Sequence, residues 1–95
     1  MRYPKSEYDF VRFEKSKTEH KKYDAILLNR KTGGHVRVPF GDNRYEQFKD
    51  STGLGLYTSK DHYDFARKKS YWARHKNDVV QNAYSAGMFS LHYLW

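Results

Sequence analysis

His62, His75 and Asn77 are the residue types of a His–Asn–His nuclease site, where a divalent ion held by imidazole and carboxylate ligands activates water. Their placement argues against that chemistry. The two histidines stand thirteen positions apart on one helical stretch, with no strand pair to complete a ββα-metal arrangement. His62 reads instead as a cap at a helix start, and His75 as a residue at the rim of the core. Asp61, Asp64 and Asp78 could supply an acid and a base. Nothing in the sequence converges on them, and helix-end charge accounts for them. Gly53-Leu54-Gly55, between Ser51-Thr52 and Leu56, looks like a fragment of a phosphate loop. It lacks the preceding strand and the Gly-Lys-Ser/Thr ending that let such a loop cradle a nucleotide, so turn glycines are the expectation. The chain has no cysteine, which removes disulfides, Cys-type zinc fingers, iron–sulfur clusters and thiol catalysis. No cofactor, metal or small-molecule substrate is expected, and the chain reads as non-enzymatic.

The basic residues are harder to set aside. Arg67, Lys68 and Arg74, with Tyr71 between them, form a helix face carrying both cations and a ring. Arg and Lys neutralise phosphates, and Tyr stacks on bases or packs on sugars. Lys15, Lys17, Lys21, Lys22, Arg30 and Lys31 suggest a second patch at the ends of a hairpin. The same residue types are also enriched at protein–protein hot spots, and a basic face can simply be solvated. Contact with nucleic acid or with a protein partner is therefore assigned to Arg67, Lys68, Tyr71, Arg74, Arg30 and Lys31. Phe89, Tyr93 and Trp95, in the apolar stretch from Tyr84 to Trp95, are candidate anchors, either in this chain's core or in a partner's groove.

The elements that hold these residues follow from pattern. Tyr23 to Leu28 is an apolar run of strand length, and His35 to Phe40 alternates, with Val36, Val38 and Phe40 on one face. Gly33 and Gly34 between them supply a turn, which predicts a β-hairpin over Tyr23 to Phe40. Pro39 lacks a ladder donor, so the second strand ends there or lies at an edge. Tyr8 to Phe13 is a candidate third strand, completing an antiparallel meander. A helix is expected over Asn43 to Asp50, capped by Asp42 or Asn43 and stopped by Gly53 and Gly55, with Leu54 and Leu56 plugging the core. A longer helix is expected from Asp61 to about Val80, with Phe65, Trp72 and Val79 on its apolar line. Lys69 and Lys76 intrude on that arc, so they snorkel or the helix is shorter. For Met88 to Trp95, helix and strand periodicities fit equally well.

Ninety-five residues make room for one domain, residues 1–95. Leu, Ile, Val and Phe total only 18, and the net charge is +7, a combination at the border of disorder. Nine Tyr and two Trp move the expectation to a small folded domain with an aromatic core, because each ring buries a large area. No apolar stretch is long enough to span a bilayer, and no membrane partner is expected. Met1-Arg2-Tyr3-Pro4 lacks the apolar centre of a secretion signal.

The string Val38-Pro39-Phe40-Gly41-Asp42-Asn43-Arg44-Tyr45-Glu46-Gln47 resembles part of a group of small proteins encoded by large DNA viruses and tailed phages. Similar motifs follow in order: Asp50-Ser51-Thr52-Gly53-Leu54-Gly55-Leu56-Tyr57, Asp61-His62, Tyr71 with Arg74-His75, Tyr84 to Ser90, and Tyr93-Leu94-Trp95. The resemblance covers about Lys22 to Trp95 and leaves out residues 1–21. The chain departs from the group's pattern at Ala86, where proline is frequent, and at Trp72, where a basic residue is frequent. The second departure weakens the case for a strongly cationic helix face. The resemblance implies a viral gene product and carries over no catalytic residue.

These readings combine into an α+β expectation: a small antiparallel sheet, two helices packed on it and a buried aromatic C-terminal segment. The expected role is that of a small basic virion accessory protein, of minor capsid or cement type, bridging larger viral structural proteins. It would reside in the virion, and in the host cytoplasm during assembly. A nucleic-acid-binding module built on the Tyr/Arg helix face is the alternative.

Overall fold

The computed structural model describes residues 2–95; Met1, part of the start read above for a secretion signal, lies outside them. Three strands form the antiparallel meander: β2 (Tyr8–Lys15), β3 (Lys21–Asn29) and β4 (His35–Asp42), in the order β2-β3-β4. Tyr3–Pro4 (β1) pairs with Ala83–Tyr84 (β5) in a separate two-stranded ladder. The helices are α1 (Phe65–His75) and α2 (Ala86–Tyr93). The architecture is thus a small α+β fold, as expected.

The β3–β4 turn forms because the Asn29 side chain accepts hydrogen bonds from the amides of Lys31 and Thr32, while Gly33 takes φ of 75°. Pro39 sits opposite Asp24 on an edge strand, where its missing donor costs no ladder bond. In β2 the register shifts between Phe10 and Arg12. This bulge lets Phe10 and Phe13, an odd number of positions apart, both pack on Phe89.

One face of the sheet builds the core. Tyr23, Ala25, Leu27, Val38 and Phe40 meet Met88, Phe89 and Leu94 from the chain's end. Phe40 stacks on Phe89 at 5.5 Å, and Phe13 meets Tyr93 edge-on at 4.7 Å. Such pairs contribute about 0.5–1.5 kcal/mol each beyond their burial. On the opposite face, Arg37 bridges Glu14 at 2.6 Å and Asp24 at 3.1 Å, and Arg12 reaches Glu14 at 2.6 Å. This charged lattice covers Ile26, which pairs in register with both Arg12 and Arg37.

The C-terminal segment resolves to a helix. Ser85 caps it by accepting from the Met88 amide, and Met88, Phe89 and Leu91 are buried. It supplies the second helix in place of the one expected over Asn43 to Asp50, which is absent. There the backbone amides are committed elsewhere: Gln47 to Lys60 O, Phe48 and Lys49 to Leu94 O, and Ser51 to Tyr93 O. Tertiary partners for those amides displace the local i→i−4 ladder.

The helix expected over Asp61 to Val80 is shorter. Asp64 is its N-cap, accepting from the Ala66 and Arg67 amides, and a 3₁₀ turn at Lys76–Asp78 ends it. Tyr63 has φ of 54°, which no helix continues through. Phe65 therefore falls at the first helical position and is 73% exposed, instead of facing the core. Leu54 and Leu56 are likewise exposed, not core plugs, because Gly53 and Gly55 turn the loop outward with positive φ.

Candidate binding groove and aromatic patch

Spacing puts Arg67, Ser70, Tyr71 and Arg74 on one face of α1, and that face forms one wall of an open groove of about 1010 Å³. The opposite wall is the end of the hairpin remote from its turn: Lys21 and Lys22 of β3, Asp42 of β4, then Tyr45 and Glu46. Leu94 and Trp95 close the floor, where the Tyr71 and Trp95 rings stack in parallel at 4.3 Å. His75 covers Tyr71 at 4.4 Å, so Tyr71 acts as floor and offers little free ring. Burial raises the Tyr71 hydroxyl pKa, against the opposing influence of Arg74.

The groove's carboxylates are already matched. Arg44 holds Asp42 at 2.7 Å and keeps its carboxyl well below the usual range, and the bond from Arg67 at 3.0 Å lowers the Glu46 pKa. Lys22 is nearly sealed, and its Nζ donates to the Tyr45 carbonyl at 2.9 Å. Burial, helped by Lys60, pushes its pKa down to about 8, with Asp42, Asp50 and Asp61 opposing the shift.

A buried polar network stands behind this wall. Tyr23 donates its hydroxyl hydrogen to Asp50 and accepts from the Leu56 amide at 3.0 Å. Gln47 donates from Nε2 to Tyr57 O at 2.8 Å and to Asp61 Oδ1 at 2.7 Å, and Asp61 also accepts from the Asp50 amide. Burial raises the Asp50 pKa, but the bonds from Thr52 and Tyr23 outweigh it and leave the carboxyl below its ordinary value. These acids hold loops together.

The residues singled out from the sequence divide. Arg67, Tyr71 and Arg74 share the groove, whereas Lys68 turns away and lays its ammonium 4.4 Å from the centre of the Phe48 ring. Arg30 and Lys31 sit at the hairpin turn, eight or more residues along β3 from Lys22, which is about 26 Å at strand rise. Arg30 is held there by Asp9 at 2.6 Å. Phe89 is core, Tyr93 packs on that core, and Trp95 is half-buried at the groove.

Two features were not read from the sequence. Tyr45, in the stretch expected to be helical, projects from the groove wall 65% exposed, with Arg44 over its ring at 5.8 Å. Tyr63 and Phe65 form an exposed aromatic patch around Phe48, at 5.9 and 5.0 Å. The Asp64 cap was a usable signal for the second, since it places Phe65 at the helix entrance. His62, expected to cap a helix start, is not the cap: Asp64 holds that position, and His62 Nδ1 accepts from the Asp64 amide at 2.9 Å. Among the described residues no group of three His, Cys, Asp or Glu side chains could hold a metal ion, and no helix is long and apolar enough to cross a membrane. Compared with known proteins, the chain matches no family model, no curated protein and no solved structure.

Proposed function

We propose that this chain is a non-enzymatic, small basic virion accessory protein that bridges larger viral structural proteins. One observation carries the reading: the Phe48–Tyr63–Phe65 patch, in which Phe65 is 73% and Tyr63 55% exposed. Rings left in water at a fixed helix entrance do not help folding, and aromatic clusters of this kind are what interface cores use. Lys68 over Phe48 and the net charge of +7 match a partner surface that is apolar at its centre and carboxylate-rich at its rim. A capsid subunit with such a depression is the proposed occupant. The acids and His62 support the non-enzymatic part, being engaged in caps and loop bonds. The viral resemblance of residues 22–95 supports the setting.

Mass spectrometry of purified virus particles tests the idea. The protein should be present in many copies, and particles without it would refute the role. Phe65→Ser with Tyr63→Ser should abolish incorporation while moving the thermal midpoint by no more than about 8 °C, since two exposed side chains at about 0.5 kcal/mol or less each cost at most about 1 kcal/mol together. Incorporation at the native level would remove the patch from the argument.

A further inference from the structure

We infer that the groove, a surface separate from the aromatic patch, binds single-stranded nucleic acid, with Lys21 and Arg74 on phosphates and Tyr45 stacking on a base. The free charge in the groove is positive. Asp42 and Glu46 are paired with Arg44 and Arg67, whereas neither Lys21 nor Arg74 has a carboxylate within ion-pair distance among the described residues. The two uncommitted cations lie on opposite walls, so a phosphate chain running along the cleft meets both.

Tyr45 supplies the stacking surface. Its ring is 65% exposed on the groove wall, and the bond from the sealed Lys22 ammonium to its carbonyl fixes the backbone that carries it. Arg44 over the ring adds a second flat group. Base stacking on exposed rings inside a cationic cleft is the general means of holding unpaired nucleotides. In a duplex both faces of each base are already covered, so a ring standing in a cleft has no base to meet. The stacked Tyr71–Trp95 pair makes the floor rigid, and Trp95 reports on occupancy.

Fluorescence anisotropy of a labelled oligo-dT of about 12 nucleotides, within the usual site size, tests the proposal on the full chain. Binding at about 50 mM salt should weaken by about sevenfold at 200 mM on account of two phosphate contacts, from a slope of about −0.7 per contact. Lys21→Glu with Arg74→Glu should lose at least about tenfold and flatten that slope by about 1.4. Tyr45→Ala should lose about fivefold or more. Arg30→Glu with Lys31→Glu, the same charge change at the remote turn, should stay within about threefold, being beyond the screening length. Equal losses in the two double variants, equal competition by duplex DNA, or no binding at the lower salt would each overturn the proposal. None of these outcomes bears on the aromatic patch, which particle incorporation reads separately.

Discussion

Lys22 carries an ammonium into a nearly closed site with a single hydrogen bond to Tyr45 O. Its folded pKa, about 8, lies below the ordinary 10.5, so charging it opposes folding. That penalty is complete below about pH 8 and is relieved as pH rises through 8 towards 10.5, because the unfolded chain then binds more protons. Tyr23 acts in the opposite sense. Burial, with the bond to Asp50, raises its pKa to about 12, so its contribution is whole below about pH 10 and is lost as pH rises through 12. Stability should therefore climb between about pH 8 and 10 and fall above it. Urea midpoints across that range check this, and Lys22→Met should flatten the climb. The sequence marked Lys22 only as one of many cations. Its burial follows from the β3–β4 end being covered by Leu94 and the Tyr45 loop, contacts between segments far apart in the chain.

Gly41 shows how one strand end is matched to the distant tail. Its φ is 73°, and a Cβ there would stand 2.7 Å from Leu94 Cδ1 and 3.3 Å from Lys22 Cδ. Gly41→Ala should cost about 2–3 kcal/mol, combining backbone strain with overpacking. Gly33 has a similar φ of 75° but nothing within 4 Å of its would-be Cβ, so Gly33→Ala should cost only about 1 kcal/mol. Thermal melts of the pair separate strain from crowding, and equal losses would mean that the Leu94 contact does not matter. The hairpin was legible because its alternation and turn glycines are local. The stretch from Asn43 to Asp50 was not, because its amides are satisfied by Tyr93, Leu94 and Lys60, and the Tyr45/Phe48 spacing carries no trace of that. Phe65 misled for a related reason: its spacing from Trp72 is correct for one face, but the Asp64 cap makes it the first residue of the helix.

Taken together, the chain folds with a radius of gyration of 13.4 Å, near the value of about 13 Å expected for a domain of about 100 residues. The α+β class and the aromatic core were readable from composition and periodicity. The groove was readable only by half: α1 gave Arg67, Tyr71 and Arg74, while Lys21 and Tyr45 reach it through tertiary folding. Sequence also grouped Arg30 and Lys31 with Lys21 and Lys22, although the strand between them holds the two pairs at opposite ends. The loop at Gly53 to Leu56 is exposed, while α2, beyond it in the chain, packs on the face of the sheet formed before it. A protease cut at that loop severs the chain without separating its parts, because Phe89 and Leu94 stay wedged against Phe40 and Tyr23. The clipped protein should elute as one particle and fall into two pieces only in denaturant; separate elution of the pieces in buffer would contradict this. By the same geometry, halves produced apart should pair when mixed, which co-elution of the two separately made pieces would check.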